Sequence, residues 1–286
     1  MNTRTFHQKV IVITGAASGI GEALALGAAR RGARLMLADI NREGLECVAS
    51  QVRAQGGTCA IWVTDTGSEA AIYQLAEQVQ ASFGGADMVI NNAGVGLMAP
   101  VAKLQTADAH WLMNINFWGV VHGCRAFIPQ LQHRPDAVLV NISSIFAMIS
   151  IPTQSIYNAS KAAVRGFSDA LREELRSVGV DVLCVHPGGI RTNIANAARI
   201  TDVSMVADSD QEMRDNFSRL ARTSPEQAAE VILNAIHTRR SRVLIGGDAK
   251  FMDLMFRMFP AHASRWFTRL GQKMRQRRST SPTTLT

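Results

Sequence analysis

Tyr157 and Lys161 stand four residues apart in the run Ser155-Ile-Tyr-Asn-Ala-Ser-Lys161, and a serine pair, Ser143-Ser144, lies a short distance upstream. Positions i and i+4 of a helix share a face, so this spacing brings an ammonium beside a phenol. A free tyrosine has a pKa of about 10, too high for easy proton exchange at neutral pH. A nearby cation favours the phenolate and draws that value toward the working range, which would make the pair a proton-transfer device. The same spacing also describes an ordinary solvated helix face. Only a reactive partner brought to it by other elements gives it chemistry.

Such elements are visible at the other end of the chain. Lys9-Val-Ile-Val-Ile-Thr14 reads as a short, fully buried strand, Gly15-Ala-Ala-Ser18-Gly19-Ile20-Gly21 follows, and a helical run goes from Glu22 to about Arg31. Strand, glycine turn and helix compose a dinucleotide cradle. The glycines permit a tight turn and close backbone approach, and the helix N-terminus offers free N–H groups to a pyrophosphate. The spacing is GxxxGxG rather than GxGxxG. The second strand, Arg34-Leu-Met-Leu-Ala-Asp39, ends in a carboxylate about 20 residues past the turn, suited to ribose hydroxyls and repulsive to a 2′-phosphate. The turn carries no basic residue, and Arg42 is read as capping the next helix or facing solvent. NAD is therefore expected over NADP.

The rest of the chain supplies the frame. Strands are expected near 9–14, 33–38, 58–63, 86–91, 136–142, 180–186 and 242–246, with long helices near 105–132 and 155–178. This alternation implies an α/β fold, a doubly wound parallel sheet of Rossmann type with about seven strands and helices on both faces. Ligands then bind beyond the carboxyl ends of the strands. A single catalytic domain is expected over 1–249, including a polar, irregular lid at 189–224, with a basic amphipathic extension over 250–286. Four scattered cysteines without a CxxC pair suggest reduced thiols and a cytoplasmic setting. Eight residues before the first strand leave no room for a signal peptide, and no apolar stretch approaches the roughly 20 residues of a membrane span. The seven histidines show no HxxxH or HxH clustering, so no metal site is expected.

Charge is distributed unevenly. From Leu254 onward there are seven basic residues (Arg257, Arg265, Arg269, Lys273, Arg275, Arg277, Arg278) and no acidic one, while the whole chain carries +7. The other 253 residues therefore balance to zero, and the basic character belongs to the tail rather than to a nucleic-acid-binding face. Phe251, Leu254, Met255, Met258 and Phe259 recur at helical spacing, and Trp266, Phe267, Leu270 and Met274 continue after Pro260. Three readings stand: packing on the chain's own cleft or on a neighbouring subunit, peripheral contact of a basic amphipathic helix with an anionic membrane, or a solvated end. Ser279–Thr286 is expected to be disordered.

Taken in order, Thr14-Gly-Ala-Ala-Ser-Gly-Ile-Gly21, Asn91-Asn-Ala-Gly94, Ser144, Tyr157 with Lys161, and Pro187-Gly188 resemble the short-chain dehydrogenase/reductase family over roughly residues 6–247. The resemblance implies a catalytic set of Asn116, Ser144, Tyr157 and Lys161. Ser144 would hold the substrate oxygen, Tyr157 would exchange its proton, Lys161 would bind the nicotinamide ribose and lower the tyrosine pKa, and Asn116 would hold a water in the relay. It also implies cofactor contacts from Gly15, Ser18, Gly19, Ile20, Gly21 and Asp39, from Asp65 and Thr66 at the adenine, from Asn92, Ala93 and Gly94 along the cleft floor, and from Tyr157 beside Lys161. The loop beginning at Pro187 and Gly188 would meet the nicotinamide carboxamide through Ile190 and Thr192.

Two readings from different classes follow. The first is an NAD(H)-dependent oxidoreductase acting on a small, hydrophobic secondary alcohol or carbonyl, with Val95, Leu97, Met98, Phe146, Met148, Ile149 and the lid's Met205 and Val206 near the cleft. An NADP-preferring carbonyl reductase is its variant. The second is an NAD-binding scaffold whose basic tail binds a membrane or partner. The resemblance further implies a homodimer or homotetramer built through the helices near 105–132 and 155–178.

Overall fold

A computed structural model describes residues 3–207 and 209–270. In chain order the elements are β1 (Val10–Thr14), α1 (Gly19–Ala29), β2 (Arg34–Asp39), α2 (Arg42–Ala54), β3 (Thr58–Val63), α3 (Glu69–Phe83), β4 (Met88–Asn91) and β5 (Leu97–Met98). Next come α4 (Thr106–Met113), α5 (Gly119–Leu131), β6 (Val138–Ile142), α6 (Ser155–Leu175), β7 (Asp181–Pro187) and β8 (Arg199–Ile200). The last are α7 (Asp210–Leu220), α8 (Pro225–His237), β9 (Arg242–Ile245) and α9 (Gly247–Met258). Lys273, Met274, Arg275, Arg277, Arg278 and the end from Ser279 onward lie outside the described residues.

Seven strands form one parallel sheet in the order β3-β2-β1-β4-β6-β7-β9. The seven expected strands are these seven. They were readable because a parallel strand covered on both faces carries a continuous apolar run, as in VIVIT of β1, where every residue is buried. Helices α1, α2 and α8 cover one face through Leu24, Leu45, Val48 and Ile232. Helices α3, α5 and α6 cover the other through Leu75, Phe127 and Leu171. Helix starts follow local chemistry: Asn41 and Ser68 cap α2 and α3, and Ser224 and Gln227 form a capping box around Pro225 at α8. The strand order reverses between β1 and β4, so the connections leave on opposite faces and open a crevice at their carboxyl ends.

The expected single helix over 105–132 is not continuous. A π-helical turn, Asn114–Trp118, separates α4 from α5. Two contacts account for it. The buried Asn116 amide turns inward to bond both backbone groups of Val95, and Gly119 approaches Thr66 so closely that a Cβ there would sit 2.7 Å from the Thr66 carbonyl oxygen. One inserted residue lets the helix satisfy both.

The 189–224 segment is also more ordered than its sequence suggests. Its strand β8 pairs in parallel with β5, Ile190 bridges to Thr223, and α7 lies between. Met98 packs with Val203, Ala207 and Met213 of the segment. Arg199 holds Asp108 at 2.6 Å and lies over the Trp111 ring at 3.7 Å, while Lys103 holds Asp202 at 2.5 Å. A two-residue strand has no periodicity to read, and DQEMRDNFSRL of α7 is strongly polar on average. The segment is thus latched to the β5–α4 region by a short ladder, buried apolar packing and ion pairs whose basic partners reach into solvent. Arg199→Ala is expected to change global stability by at most about 1 kcal/mol yet to accelerate tryptic cleavage at Arg214, Arg219 and Arg222 several-fold; unchanged cleavage would mean that the latch holds nothing.

Candidate active site

The site is assembled from the carboxyl ends of β1, β4, β6 and β7. At the end of β1, Gly15 and Gly19 adopt φ of 64° and 59°, conformations that favour glycine. A Cβ on Gly15 would lie 2.8 Å from the Ala93 backbone, one on Gly21 would collide with the Gly15 carbonyl, and one on Gly19 would come within 3.2 Å of the Thr192 methyl. The three glycines therefore keep a narrow passage open between the turn, the Asn92-Ala93 segment and the 187–192 loop. Ser18 occupies the N-cap of α1 without making a capping bond, so the first N–H groups of that helix face the passage unsatisfied by it. These features fit a pyrophosphate: an anion needs donors and close backbone approach, and both are present.

Asp39 closes one end. Its carboxylate accepts from Ala17 N at 3.1 Å and from Asn41 N at 3.0 Å, which ties the end of β2 to the glycine turn and leaves lone pairs for ribose hydroxyls. Arg42 points away, 69% exposed, toward Glu46. Asp65 is exposed and accepts from Gly67 N at 2.8 Å, whereas Thr66 is buried; both lie beyond β3, two strands from β1.

Beyond β4 and β6 the polar set converges. Asn92 Nδ2 donates to the Thr14 and Gly15 carbonyls at 3.0 and 3.1 Å. A Cβ on Gly94 would stand 3.2 Å from Asn116 Oδ1 and 3.4 Å from Lys161 Nζ, so these two groups approach Gly94 together. Asn116 Oδ1 accepts from Val95 N at 2.8 Å, and its Nδ2 donates to Val95 O and Ser160 Oγ. Both amide protons are used, so the side chain can take a further donor only through Oδ1. Ser143 and Ser144 divide their roles: Ser143 Oγ donates to the Lys161 carbonyl at 2.8 Å, while Ser144 Oγ accepts from Phe146 N and faces the Tyr157 hydroxyl.

Burial sets the ionisation of the pair. Desolvation pushes Tyr157 up to about 12, with the Ser144 hydrogen bond acting in the other direction. This reverses the direction expected from the i, i+4 spacing. Lys161 Nζ donates to Ile142 O at 3.1 Å and sits 5.8 Å from the tyrosine ring centroid, and burial dominates both groups. The lysine is itself lowered to about 8 by desolvation, with Cys184 opposing.

Of the apolar candidates, Phe146 meets the Tyr157 ring edge-on at 6.3 Å. Leu97, Met98, Met148 and Ile149 are buried, Ile149 completely, and Met205 is 54% exposed. Three further groups gain a role only from their tertiary contacts. Asp248, at the start of α9, accepts from Gly189 N at 2.6 Å and crowds Gly188, so the last helix holds the 187–192 loop. Asn91, Asn141 and Ser168 form a buried chain behind the site at 2.9 and 3.0 Å. His186, in β7, places Nδ1 3.3 Å from the Ser144 carbonyl, and its buried Nε2 has no partner among the described residues.

Comparisons with known proteins bear on the family and the fold. The family model described as short chain dehydrogenase matches residues 9–202. SadH of Mycobacterium tuberculosis, which carries the name of an oxidoreductase, is 40% identical over 257 residues, 89% of this chain and 92% of that protein. A short-chain dehydrogenase/reductase from Burkholderia phymatum, solved in complex with NAD, superposes with a TM-score of 0.80 at 30% identity over 89% of this chain and 96% of that one. An alcohol dehydrogenase from Thermococcus sibiricus, complexed with 5-hydroxy-NADP, shares the fold with a TM-score of 0.71 at 23% identity, covering 84% and 96% of the two chains.

His186 yields a pH test. Burial first, then Arg242, lowers it to about 4 from the ordinary 6.5. Between those values the unfolded chain binds a proton that the folded chain refuses, so stability rises with pH through this window and is lost on acidification. His186→Asn is expected to remove about 3 kcal/mol of that acid loss, read as the difference in urea unfolding between about pH 7 and pH 4; an acid loss unchanged in the variant would refute the assignment.

Proposed function

We propose that this chain, which belongs to the short-chain dehydrogenase/reductase family, is an NAD(H)-dependent enzyme interconverting a hydrophobic secondary alcohol and the corresponding ketone or aldehyde. One observation carries the reading. Asn116 Oδ1 and Lys161 Nζ approach Gly94 together, Lys161 Nζ lies 5.8 Å from the Tyr157 ring centroid, and Ser144 is beside that tyrosine, where the glycine turn provides a passage for a dinucleotide. The bound nicotinamide would supply or accept the hydride.

The protein's own groups handle position and protons. Ser144 Oγ acts on the Tyr157 hydroxyl as a neighbouring hydrogen-bonding group, and the two hydroxyls together can grip one substrate oxygen. Tyr157, held protonated by its burial, is in the state that donates to a developing alkoxide, so carbonyl reduction finds its acid ready at neutral pH. Alcohol oxidation needs the phenolate and therefore gains as pH rises. Lys161, fixed by Ile142 O, places a cation next to the ring as charge develops there. Asp248 keeps the loop carrying Ile190 and Thr192 against the opposite wall. Phe146 and the apolar packing of Met98 with the 189–224 segment favour a hydrophobic substrate. Assembly as a homodimer or homotetramer through α5 and α6 belongs to the same reading.

NAD is favoured over NADP by Asp39, whose carboxylate would meet a 2′-phosphate with like charge while Arg42 is turned to solvent. The tests separate chemistry from binding. Tyr157→Phe is expected to lower kcat by about 10²- to 10⁴-fold across a panel of ketones and secondary alcohols while leaving NADH binding intact; full activity in that variant would sink the mechanism, and tight NADH binding without turnover on any carbonyl would leave a nucleotide-binding scaffold. Asp39→Ala is expected to shift the NAD/NADP ratio of kcat/KM by about 10- to 100-fold toward NADP. A wild-type preference for NADPH would overturn the cofactor assignment.

A further inference from the structure

Helix α9 and the helical residues 263–270 form a hairpin with two dissimilar faces. The inner one is anchored to the body. Ala249, Met252 and Phe256 pack with Ile145, Phe146 and Met148, Ala263 is buried, and Ser264 Oγ accepts from Ser150 N at 3.0 Å. The outer one carries Phe251, Leu254 and Met258, spaced i, i+3, i+7 and each more than half exposed, together with Phe259, Trp266 and Leu270. Phe251 meets Phe267 at 6.1 Å and Phe259 meets Trp266 at 5.0 Å, so the two apolar rows merge across the hairpin. Leaving these six large side chains in water is unfavourable, and the fold does not use them.

Charge identifies what covers them. Arg265 and Arg269 are exposed and make no ion pair among the described residues, and Arg257 is joined to Asp253 alongside Arg242. The sequence then runs on through Lys273, Arg275, Arg277 and Arg278 with no acidic residue, while the 253 residues before Leu254 are neutral overall. A second copy seated on this face would oppose one set of unpaired arginines with another. An anionic surface is attracted instead, and one with an apolar interior also accepts Phe251, Leu254, Met258 and Trp266. Aromatic and aliphatic side chains flanked by long basic ones suit the boundary between lipid headgroups and acyl chains. We propose that this hairpin docks the protein on an anionic lipid surface. Each helix here is far too short and polar to span a bilayer, and no described helix could do so.

Flotation of the full chain with vesicles tests this. Phosphatidylcholine alone is compared with a roughly seven-to-three mixture of phosphatidylcholine and phosphatidylglycerol. The expected result is a vesicle-bound fraction at least about tenfold higher on the anionic mixture, released as salt shortens the Debye length to about 3 Å at 1 M. Leu254→Gln with Trp266→Gln should lower binding by about tenfold or more with an unchanged thermal midpoint. Arg265→Gln with Arg269→Gln, both at exposed positions, should lower it in proportion to the lost charge, which keeps the proposal testable if the apolar variant misfolds. No binding to anionic vesicles, equal binding to both compositions, or wild-type binding by both variants would overturn it. So would loss of an oligomer in the Leu254/Trp266 variant without any vesicle binding by the wild type, which would assign the face to a second copy.

Discussion

The hydroxyl of Thr14 accepts the backbone N–H groups of Asn92 and Ala93 at 3.0 and 3.1 Å, and the two halves of the crevice are held in register through it. At this point strand order reverses and the chain leaves β1 and β4 on opposite faces, so no ladder bond crosses beyond the strand ends. The seam replaces those bonds. Asn92 returns two donors to the Thr14 and Gly15 carbonyls, and Thr14 Oγ1 reaches Ile90 O at 3.4 Å. Each such bond contributes only about 0.5–1.5 kcal/mol net. Their joint effect is positional: the glycine turn, from β1, is locked against Gly94, to which the Asn116 and Lys161 side chains come.

That lock explains why so much polarity is buried nearby. Lys161 is 4% exposed and Asn116 fully buried, yet each has a partner: Ile142 O for the ammonium, Val95 for the amide. Behind them, Asn91, Asn141 and Ser168 satisfy one another across β4, β6 and α6. A buried polar chain costs little when every member is paired, and it fixes the relative placement of three elements more sharply than apolar contact would. The same desolvation separates the ionisation of the two central groups, holding the phenol protonated while making the ammonium easier to discharge.

Much of this was readable before any coordinates. The seven apolar runs are the seven strands, Gly15 and Gly21 sit where a Cβ could not, Gly19 holds a positive φ, and Asp39 ends the strand beside the turn. The π-turn at Asn114–Trp118, the latch through Arg199 and the grip of Asp248 on Gly189 were not readable. Each joins residues far apart in sequence, and none leaves a period or a spacing behind. Asp248 and Gly189, for instance, are 59 residues apart.

The sequence by itself determined the parallel α/β frame, the family and the residue types at the mouth of the crevice. Strand periodicity, glycine conformation and the i, i+4 spacing of Tyr157 and Lys161 are properties of short backbone segments, and those survive without tertiary context. Tertiary structure alone decided the direction in which the Tyr157 proton is held, because solvent exclusion by distant elements outweighs a cation one turn away. It also decided that the apolar row of α9 faces outward while the residues between pack on the 145–148 turn. Burial is a sum over the whole fold, and no local pattern contains that sum.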